Sequence, residues 1–289
     1  MWIPSKSKAF LNMLRPANCV MMGIGVLTGE LITLRGDLEI LPSLLGFLTA
    51  FTLTGASMAI NDYFDRFVDA INQPSRPLPS GLVSPGEAIG FALALGMVGL
   101  ISAGLSSLEY HSPLPFLIAA FSLFLSSYYS VKGKRMGLIG NIMVSTCVGI
   151  PFVYGSLIVG VGPTPPLILF VLMAFLSNTG REILKGIADV KGDRVRGVKT
   201  LALTIGPRQA AFSVLGFYLA AVVLSPLPLL YRIVSLVYLP LVFLADVGLV
   251  LTAIQAVSTP TPAVALKLKK LSLVWMFFGL LAFICGVSI

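Results

Sequence analysis

Charged side chains are scarce in this chain of 289 residues, because Asp, Glu, Lys and Arg together make up only 11% of it. Soluble globular domains carry about 25% charged residues, so the composition excludes an ordinary soluble fold. Hydrophobic residues make up 56% of the chain, and its mean hydropathy is +0.95. We therefore expect a multi-pass protein of the cell membrane, surrounded by membrane lipids.

Cysteine and histidine are rarer still, with 3 residues and 1 residue respectively. Cys19, Cys147 and Cys285 stand singly in apolar runs, without the paired spacing of zinc or redox motifs. We interpret them as packing residues. His111 lies in a short polar segment between two apolar runs, where we expect no catalytic role. These absences exclude a redox or metal centre built from cysteine and histidine.

Nine apolar runs are long enough to cross the membrane as helices, which takes about 20 residues each. They lie approximately at residues 17–34, 41–60, 87–105, 113–129, 138–159, 166–184, 209–230, 233–257 and 271–287. Pro226 and Pro228, which follow Ser225, should kink the seventh helix or end it early. Because no hydrophilic domain interrupts the runs, we expect residues 1–289 to form one all-α membrane domain.

Basic residues are distributed unevenly between the two sides of this nine-helix arrangement. All of the 20 Lys and Arg except Arg35 and Arg232 fall on one side, which the positive-inside rule assigns to the cytoplasm. The N-terminus is then cytoplasmic, and the net charge of +8 reflects topology, so we expect no nucleic-acid partner. The apolar run from Ala17 lacks a small-x-small cleavage site, and we expect it to remain as an anchor.

The most informative motif follows the second apolar run, where Asn61, Asp65 and Asp69 occur at steps of four. On a helix this spacing places the three side chains along one face. Clustered carboxylates at a membrane boundary repel one another unless a cation lies between them. Mg²⁺ prefers oxygen ligands and typically takes one or two carboxylates plus phosphate oxygens. These residues are therefore candidate ligands of Mg²⁺.

A second polar stripe continues the sixth apolar run, with Asn178 ahead of Arg181, Lys185, Asp189 and Asp193, the last four at steps of four. Two interpretations stay open. The stripe is either a set of salt bridges along one exposed helix, or a set of cations that neutralise phosphate oxygens beside a carboxylate pair. Four helices separate the two motifs, and an even number of crossings returns the chain to the same side. Both motifs are therefore predicted to face the cytoplasm, where they could share a Mg²⁺-bridged diphosphate.

Weaker candidates for phosphate contacts lie on the same predicted side. Tyr128 precedes Lys132 by one helical turn, a pairing that is also common for purely structural reasons at membrane interfaces. Arg15 and Arg76 are candidates of the same kind. Asp246 differs because it falls within the eighth apolar run, where a charged group faces protein or water. It either lines an acceptor pocket or hydrogen-bonds a kinked neighbour.

Taken together, these motifs resemble those of the UbiA-type intramembrane prenyltransferases over essentially the whole chain. Residues 61–69 (NDYFDRFVD) and the pair Asp189 and Asp193 resemble the two aspartate-rich motifs of that family. Residues 128–132 (YYSVK) are similar to its Tyr/Lys motif, and residues 15–18 (RPAN) to its entry motif.

Two stretches sharpen the resemblance within the family. Residues 72–81 (NQPSRPLPSG) and 180–193 (GREILKGIADVKGD) look most like the archaeal branch that makes digeranylgeranylglyceryl phosphate for ether lipids. Chlorophyll synthases share much of the first stretch, so the second carries more of the assignment.

The resemblance implies nine helices around a central cavity that opens laterally to lipid. The implied reaction transfers a geranylgeranyl group from geranylgeranyl diphosphate to the hydroxyl of a lipid-like acceptor, geranylgeranylglyceryl phosphate. Mg²⁺ would be held by catalytic residues of both motifs, Asn61, Asp65, Asp69, Asp189 and Asp193. The diphosphate would contact a further set of residues, Tyr128, Lys132, Arg181, Lys185, Arg76, Asn178 and Arg15. We infer no obligate protein partner.

Other functions remain open at this point. An aromatic prenyltransferase acting on 4-hydroxybenzoate or a related quinone precursor would keep the same metal-diphosphate site and differ only in its acceptor pocket. A membrane transporter would place its coupling acids near the bilayer midplane, where only Asp246 fits that description. A structural scaffold gives no reason for two aspartate motifs of matched spacing.

Overall fold

The computed structural model describes residues 6–195 and 197–287 of the chain. Within those residues the regular secondary structure is entirely helical. The helices are α1 (Lys6–Leu14), α2 (Pro16–Thr33), α3 (Ile40–Asn72), α4 (Pro85–Glu109), α5 (Leu114–Val131), α6 (Leu138–Leu157), α7 (Pro165–Ala188), α8 (Val190–Val195), α9 (Leu201–Thr204), α10 (Pro207–Leu224), α11 (Leu227–Leu230), α12 (Tyr238–Ser258) and α13 (Pro262–Val287). A short 3₁₀ helix, Gly133–Arg135, lies between α5 and α6.

Nine segments of the described chain are long and apolar enough to cross a membrane, which confirms the predicted all-α membrane fold. The end of the second membrane-spanning helix differs from the predicted end of the apolar run, at the point where charged residues begin. The sequence predicts that the second span ends at Ile60, but α3 continues to Asn72, since no glycine or proline occurs between Ile60 and Pro74. Gln73 then leaves the helical region, with φ −145° and ψ 64°, as residues before proline commonly do. The first motif is therefore helical along its whole length.

The seventh span is broken, as its prolines predict. α10 ends at Leu224, and α11 follows after a short turn. At this break Ser225 Oγ donates to Asp246 Oδ2 at 2.5 Å, and the Tyr238 hydroxyl donates to the Ser225 carbonyl oxygen at 2.8 Å. Asp246 thus hydrogen-bonds a kinked neighbour, which is the second of the two interpretations left open for it.

The chain groups into two compact units. The first unit contains residues 38–131 and 150–162 together with the N-terminal segment up to Glu30, and the second contains the segments that begin at Leu31, Lys132 and Pro163. Each unit carries one of the two aspartate-rich motifs. We describe the units separately.

In the first unit, close packing surrounds the helix that carries the first motif. Ala59, two residues before the motif, is buried in a cluster with Ala9 and Met13 of α1 and Ala88 of α4. Elsewhere in the unit, α2 and α6 meet at Gly29, where a Cβ atom would lie 2.0 Å from the Phe152 carbonyl oxygen. Small residues allow membrane helices to approach this closely. The first motif therefore extends from a firmly packed part of α3.

In the second unit, α7 packs against α10 and α13. A Cβ atom at Gly180 would lie 2.3 Å from Cε1 of Tyr218, so glycine is required for this contact. The Tyr218 hydroxyl lies 2.7 Å from Ser272 Oγ. Because Ser272 donates its own proton to the Leu268 carbonyl oxygen at 2.9 Å, Tyr218 is the donor in that pair. These contacts fix the part of α7 that precedes the second motif.

Candidate active site

The first motif forms a stripe along the C-terminal part of α3. Asn61 Nδ2 donates to Asp65 Oδ2 at 3.1 Å, and both side chains are partly exposed. Asp69 lies about one helical turn after Asp65. It is buried and accepts a hydrogen bond from Arg76 Nη1 at 2.5 Å. The structure thus brings Asn61 and Asp65 together, and it pairs Asp69 with a cation from the following loop.

A neighbouring carboxylate, Asp62, is a buried acid within the first motif that the spacing argument missed. Its side chain is only 6% exposed, yet Arg15 Nη2 lies 2.5 Å and Arg76 Nη1 3.6 Å from its Oδ1 atom. A buried carboxylate needs such partners because an unpaired charge is costly to desolvate. The signal that identifies it is an acid directly after an apolar run, where a counter-charge is required.

Arg15 reaches Asp62 from the junction between α1 and α2. Its backbone φ is 50°, in the left-handed region that residues other than glycine rarely occupy. Pro16 begins α2 immediately afterwards, at a helix position that proline favours. The junction therefore turns sharply. It brings the Arg15 guanidinium to Asp62, with Nη1 at 3.2 Å from Met58 Sδ.

The second motif begins where α7 ends. Asp189 follows Ala188, the last residue of α7, with φ −97° and ψ 9°. Backbone hydrogen bonds from Asp189 N to Lys185 O, at 2.9 Å, and from Asp193 N to Asp189 O, at 3.0 Å, keep the helical step of four. The Asp189 side chain is 47% exposed, and Lys269 Nζ lies 3.7 Å from its Oδ2 atom. The two carboxylates are thus spaced as the sequence predicts.

The two cations ahead of this motif bind a different acid. Arg181 Nη1 donates to Glu182 Oε1 at 2.9 Å, and Lys185 Nζ donates to Glu182 Oε2 at 3.1 Å. Glu182 is only 6% exposed. It is the second buried acid beside a motif that the step-of-four argument missed. Its signal is an acid within a largely apolar helix, flanked by two cations.

Asn178 lies deeper in α7 and is buried. Its Nδ2 atom donates to Ser145 Oγ at 3.1 Å, and Thr179 Oγ1 lies 2.9 Å from the same oxygen. Ser145 belongs to α6, so Asn178 connects two helices of the second unit. Its contact with a diphosphate stays a prediction.

Tyr128 and Lys132 lie on either side of the end of α5. Tyr128 is exposed and stacks on Phe124, with ring centroids 6.1 Å apart and an interplanar angle of 27°. Lys132 is exposed and directly precedes the 3₁₀ helix. The two residues belong to the first and second unit respectively. Their role at a phosphate stays a prediction.

The oxygen donors of the two motifs determine which metal they suit. No group of three or more Asp, Glu, His or Cys side chains is gathered to hold a metal ion in the part of the chain that the structure describes. Each motif nevertheless offers carboxylate oxygens, from Asp65 and Asp69 or from Asp189 and Asp193, which suit Mg²⁺ better than a softer metal. Mg²⁺ commonly takes one or two carboxylates and completes its shell with water and phosphate. The residues therefore fit a metal ion that arrives with a phosphate ligand.

Comparison with known proteins decides the family. The UbiA prenyltransferase family matches this chain over residues 22–283. The chain belongs to the UbiA prenyltransferase family. It is therefore an enzyme that transfers prenyl groups, which confirms the predicted class and excludes the transporter and scaffold alternatives.

Named relatives of this prenyltransferase cover nearly its whole length. The digeranylgeranylglyceryl phosphate synthase of Methanosarcina mazei is 36% identical, over 97% of this chain and 98% of the relative. That of Methanopyrus kandleri is 40% identical, over 97% of this chain and 99% of the relative.

Solved structures agree with this assignment. A structure of digeranylgeranylglyceryl phosphate synthase matches with a TM-score of 0.83 at 32% identity, over 98% of this chain and 99% of that chain. A UbiA homolog from Archaeoglobus fulgidus, bound to GPP and Mg²⁺, matches with a TM-score of 0.65 at 19% identity, over 96% and 99% of the two chains. The second likeness supports the fold alone.

Proposed function

We propose that this prenyltransferase transfers the geranylgeranyl group of geranylgeranyl diphosphate to the free hydroxyl of geranylgeranylglyceryl phosphate. One observation carries the proposal: relatives named digeranylgeranylglyceryl phosphate synthase are 36% and 40% identical over 97% of the chain. Both relatives are themselves covered almost completely, so the likeness extends over nearly their whole length. The product contains the second ether bond of an archaeal membrane lipid.

Mg²⁺ is the proposed cofactor, and the carboxylates of both units are its proposed ligands. Asp65, with Asn61 beside it, and Asp69 would serve in the first unit, and Asp189 and Asp193 in the second. When bound, the metal neutralises the diphosphate and so stabilises it as a leaving group. The carboxylate oxygens of both motifs, which suit Mg²⁺ better than a softer metal, support this cofactor assignment.

Arg76 has a particular part in this proposal. It binds Asp69 at 2.5 Å and lies 3.6 Å from Asp62. A metal ion at Asp69 would compete with the guanidinium for the same carboxylate. The displaced Arg76 would then be a cation with bidentate hydrogen-bonding geometry, which suits phosphate oxygens. The same side chain would therefore hold Asp69 before substrate arrives and contact substrate afterwards.

The remaining candidate residues would stabilise the charges that develop during the reaction. Lys132, Arg181 and Lys185 would stabilise negative charge on the departing diphosphate, with Tyr128 as a hydrogen-bond donor. Aromatic side chains would shelter the allylic cation through cation–π contact. The bond between C1 and the diphosphate oxygen breaks, and the acceptor hydroxyl oxygen bonds to C1. The hydroxyl proton passes to a weak base such as the released diphosphate.

Both motifs are proposed to lie at the cytoplasmic surface of the cell membrane. The excess of Lys and Arg on their side of the nine spans supports this orientation. A polar diphosphate would then remain at the membrane surface while its twenty-carbon chain lies in hydrocarbon.

The proposal is tested with purified protein, radiolabelled geranylgeranyl diphosphate, and two acceptors offered in parallel. We expect transfer to geranylgeranylglyceryl phosphate and none to 4-hydroxybenzoate, the acceptor of the aromatic alternative. EDTA should stop the reaction, and excess Mg²⁺ should restore it. Transfer to the aromatic acceptor alone, or full activity in EDTA, would contradict the proposal.

A further inference from the structure

Glu182 is a buried acid to which the proposed reaction gives no part. Its two oxygens accept hydrogen bonds from Arg181 Nη1 and Lys185 Nζ, at 2.9 Å and 3.1 Å. Both cations belong to the set proposed to contact phosphate. One buried carboxylate therefore orients two cations, and cations oriented in this way can receive an anionic ligand.

Arg181 provides a second observation that points to an anion. Its Nε atom is buried and has no hydrogen-bond partner among the residues that the structure describes, whereas Glu182 occupies Nη1. An unpaired buried donor on a charged group is unfavourable. Guanidinium edges bind phosphate through two parallel hydrogen bonds. Glu182 therefore engages one end of the guanidinium and leaves its Nε edge for an oxyanion.

The helix segment that carries these groups is held by contacts to two neighbouring helices, α6 and α10, within the second unit. Asn178 donates to Ser145 of α6 at 3.1 Å. Gly180 packs closely against Tyr218 of α10, and the Tyr218 hydroxyl bonds Ser272 of α13 at 2.7 Å. Sites built on such fixed segments hold their side chains in one geometry.

We propose that Glu182 is a positioning residue that holds Arg181 and Lys185 as a receptor for a substrate phosphate. The ligand class is a phosphate oxyanion, which is either the diphosphate of the donor or the phosphate monoester of the acceptor. Cations oriented before the ligand arrives need no rearrangement when negative charge develops on it. The inference rests on the proposed function and deepens it by assigning an anion receptor distinct from the metal carboxylates.

The test uses full-length protein in lipid nanodiscs and the variant Glu182→Gln, which keeps the side-chain shape and removes its charge. Loss of one charge-assisted hydrogen bond should raise the KM of the substrate whose phosphate is bound by about tenfold to a hundredfold. A raised KM for geranylgeranyl diphosphate identifies the diphosphate as the ligand. A raised KM for geranylgeranylglyceryl phosphate identifies the monoester. Unchanged KM values for both substrates would overturn the inference.

Two variants separate positioning from a general effect of removing a buried charge. Glu182→Asp keeps the charge and should recover most of the lost affinity. If Glu182→Gln does not fold, Arg181→Gln replaces it, removes the positioned cation and should raise the same KM. Glu30→Gln neutralises another buried acid, which accepts hydrogen bonds from Ser43 Oγ and the Glu39 backbone nitrogen. It should leave both KM values unchanged. An equal rise of KM in Glu30→Gln would overturn the inference.

Calorimetry with inorganic pyrophosphate and inorganic phosphate gives a readout that does not depend on transfer. Glu182→Gln should bind at least one of these anions more weakly than the parent chain, even if geranylgeranylglyceryl phosphate proves to be the wrong acceptor. The anion receptor and the acceptor assignment can therefore fail separately. In an Arg181→Gln background, Glu182→Gln should cause little further loss, because coupled residues are not additive. A full further loss would contradict the positioning role.

Discussion

The two units hold their buried charges in related ways but engage their motif carboxylates differently. In each unit, one carboxylate with 6% exposure faces two cations. These are Asp62 with Arg15 and Arg76 in the first unit, and Glu182 with Arg181 and Lys185 in the second. Neither buried acid belongs to the step-of-four motif beside it. In each unit, a buried acid that is not part of the step-of-four motif therefore holds two cations in place.

The units differ in how their motif carboxylates are engaged. In the first, Arg76 also binds Asp69 at 2.5 Å, so two acids and two arginines balance one another. In the second, Asp189 is half exposed, and its lysine partner is 3.7 Å away. We infer that the first unit must exchange a guanidinium for a metal ion. The second unit already orients two cations on one buried carboxylate and is suited to an anion.

The largest effect should come from removing one motif carboxylate in either unit. Asp65→Ala and Asp189→Ala should each lower kcat by about a thousandfold, since a metal ligand supplies several kcal/mol of transition-state stabilisation. The rate of labelled transfer measures the loss, and thermal melting checks the fold. Asp37→Ala, at an exposed aspartate in the loop before α3, is the control and should retain parental activity. Normal turnover in either motif variant would break the comparison, because only one unit would then serve the metal.

A smaller effect is expected from Arg76→Gln. This variant frees Asp69 but removes a cation that we assign to phosphate, so kcat/KM should fall by about tenfold to a hundredfold. The steady-state transfer assay measures it. An increase in activity would instead show that Arg76 only blocks the carboxylate.

Asp62→Asn should act on stability more than on the metal. The change leaves Arg15 and Arg76 facing a neutral side chain, although both arginines are partly exposed and screened. We expect the free energy of unfolding to fall by about 2 kcal/mol, measured by thermal or denaturant unfolding in detergent. The matched change Asp37→Asn should leave stability unaltered. Equal stability of Asp62→Asn and the parent chain would show that the buried acid has no structural part.

The smallest effect is expected from Lys269→Gln. The Lys269 Nζ atom lies 3.7 Å from Asp189 Oδ2, and the Asp189 side chain is 47% exposed. A long pair with one solvated partner contributes little. The KM for geranylgeranyl diphosphate should therefore change by less than about twofold. A change as large as that of Arg76→Gln would remove the proposed difference between the units.

Sequence reasoning predicted what depends on composition and periodicity. Apolar run length predicted the nine spans, and the two prolines predicted the break after Leu224. It failed where helix ends and charged contacts depend on more than composition and periodicity. The polar end of α3 stays helical to Asn72 because hydropathy marks where a helix leaves the membrane, whereas only a local breaker marks where it ends.

The two buried acids show the same limit within the site. Steps of four identified the polar stripes but passed over Asp62 and Glu182. Their partners come from a separate loop or from neighbouring helical positions. Arg15 reaches its partner through a left-handed turn that no periodicity describes. To predict such pairs from a sequence, one must ask which residue supplies the counter-charge for each charged residue near the membrane.

Calorimetric binding of pyrophosphate, with and without Mg²⁺, tests the proposed division between the units most directly. In the parent chain, Mg²⁺ should tighten pyrophosphate binding. Asp65→Asn should lose that Mg²⁺-dependent gain and keep the metal-free binding, whereas Glu182→Gln should weaken the metal-free binding and keep the gain. If Asp65→Asn retained the full gain, or if both variants lost the same component, the account would be contradicted.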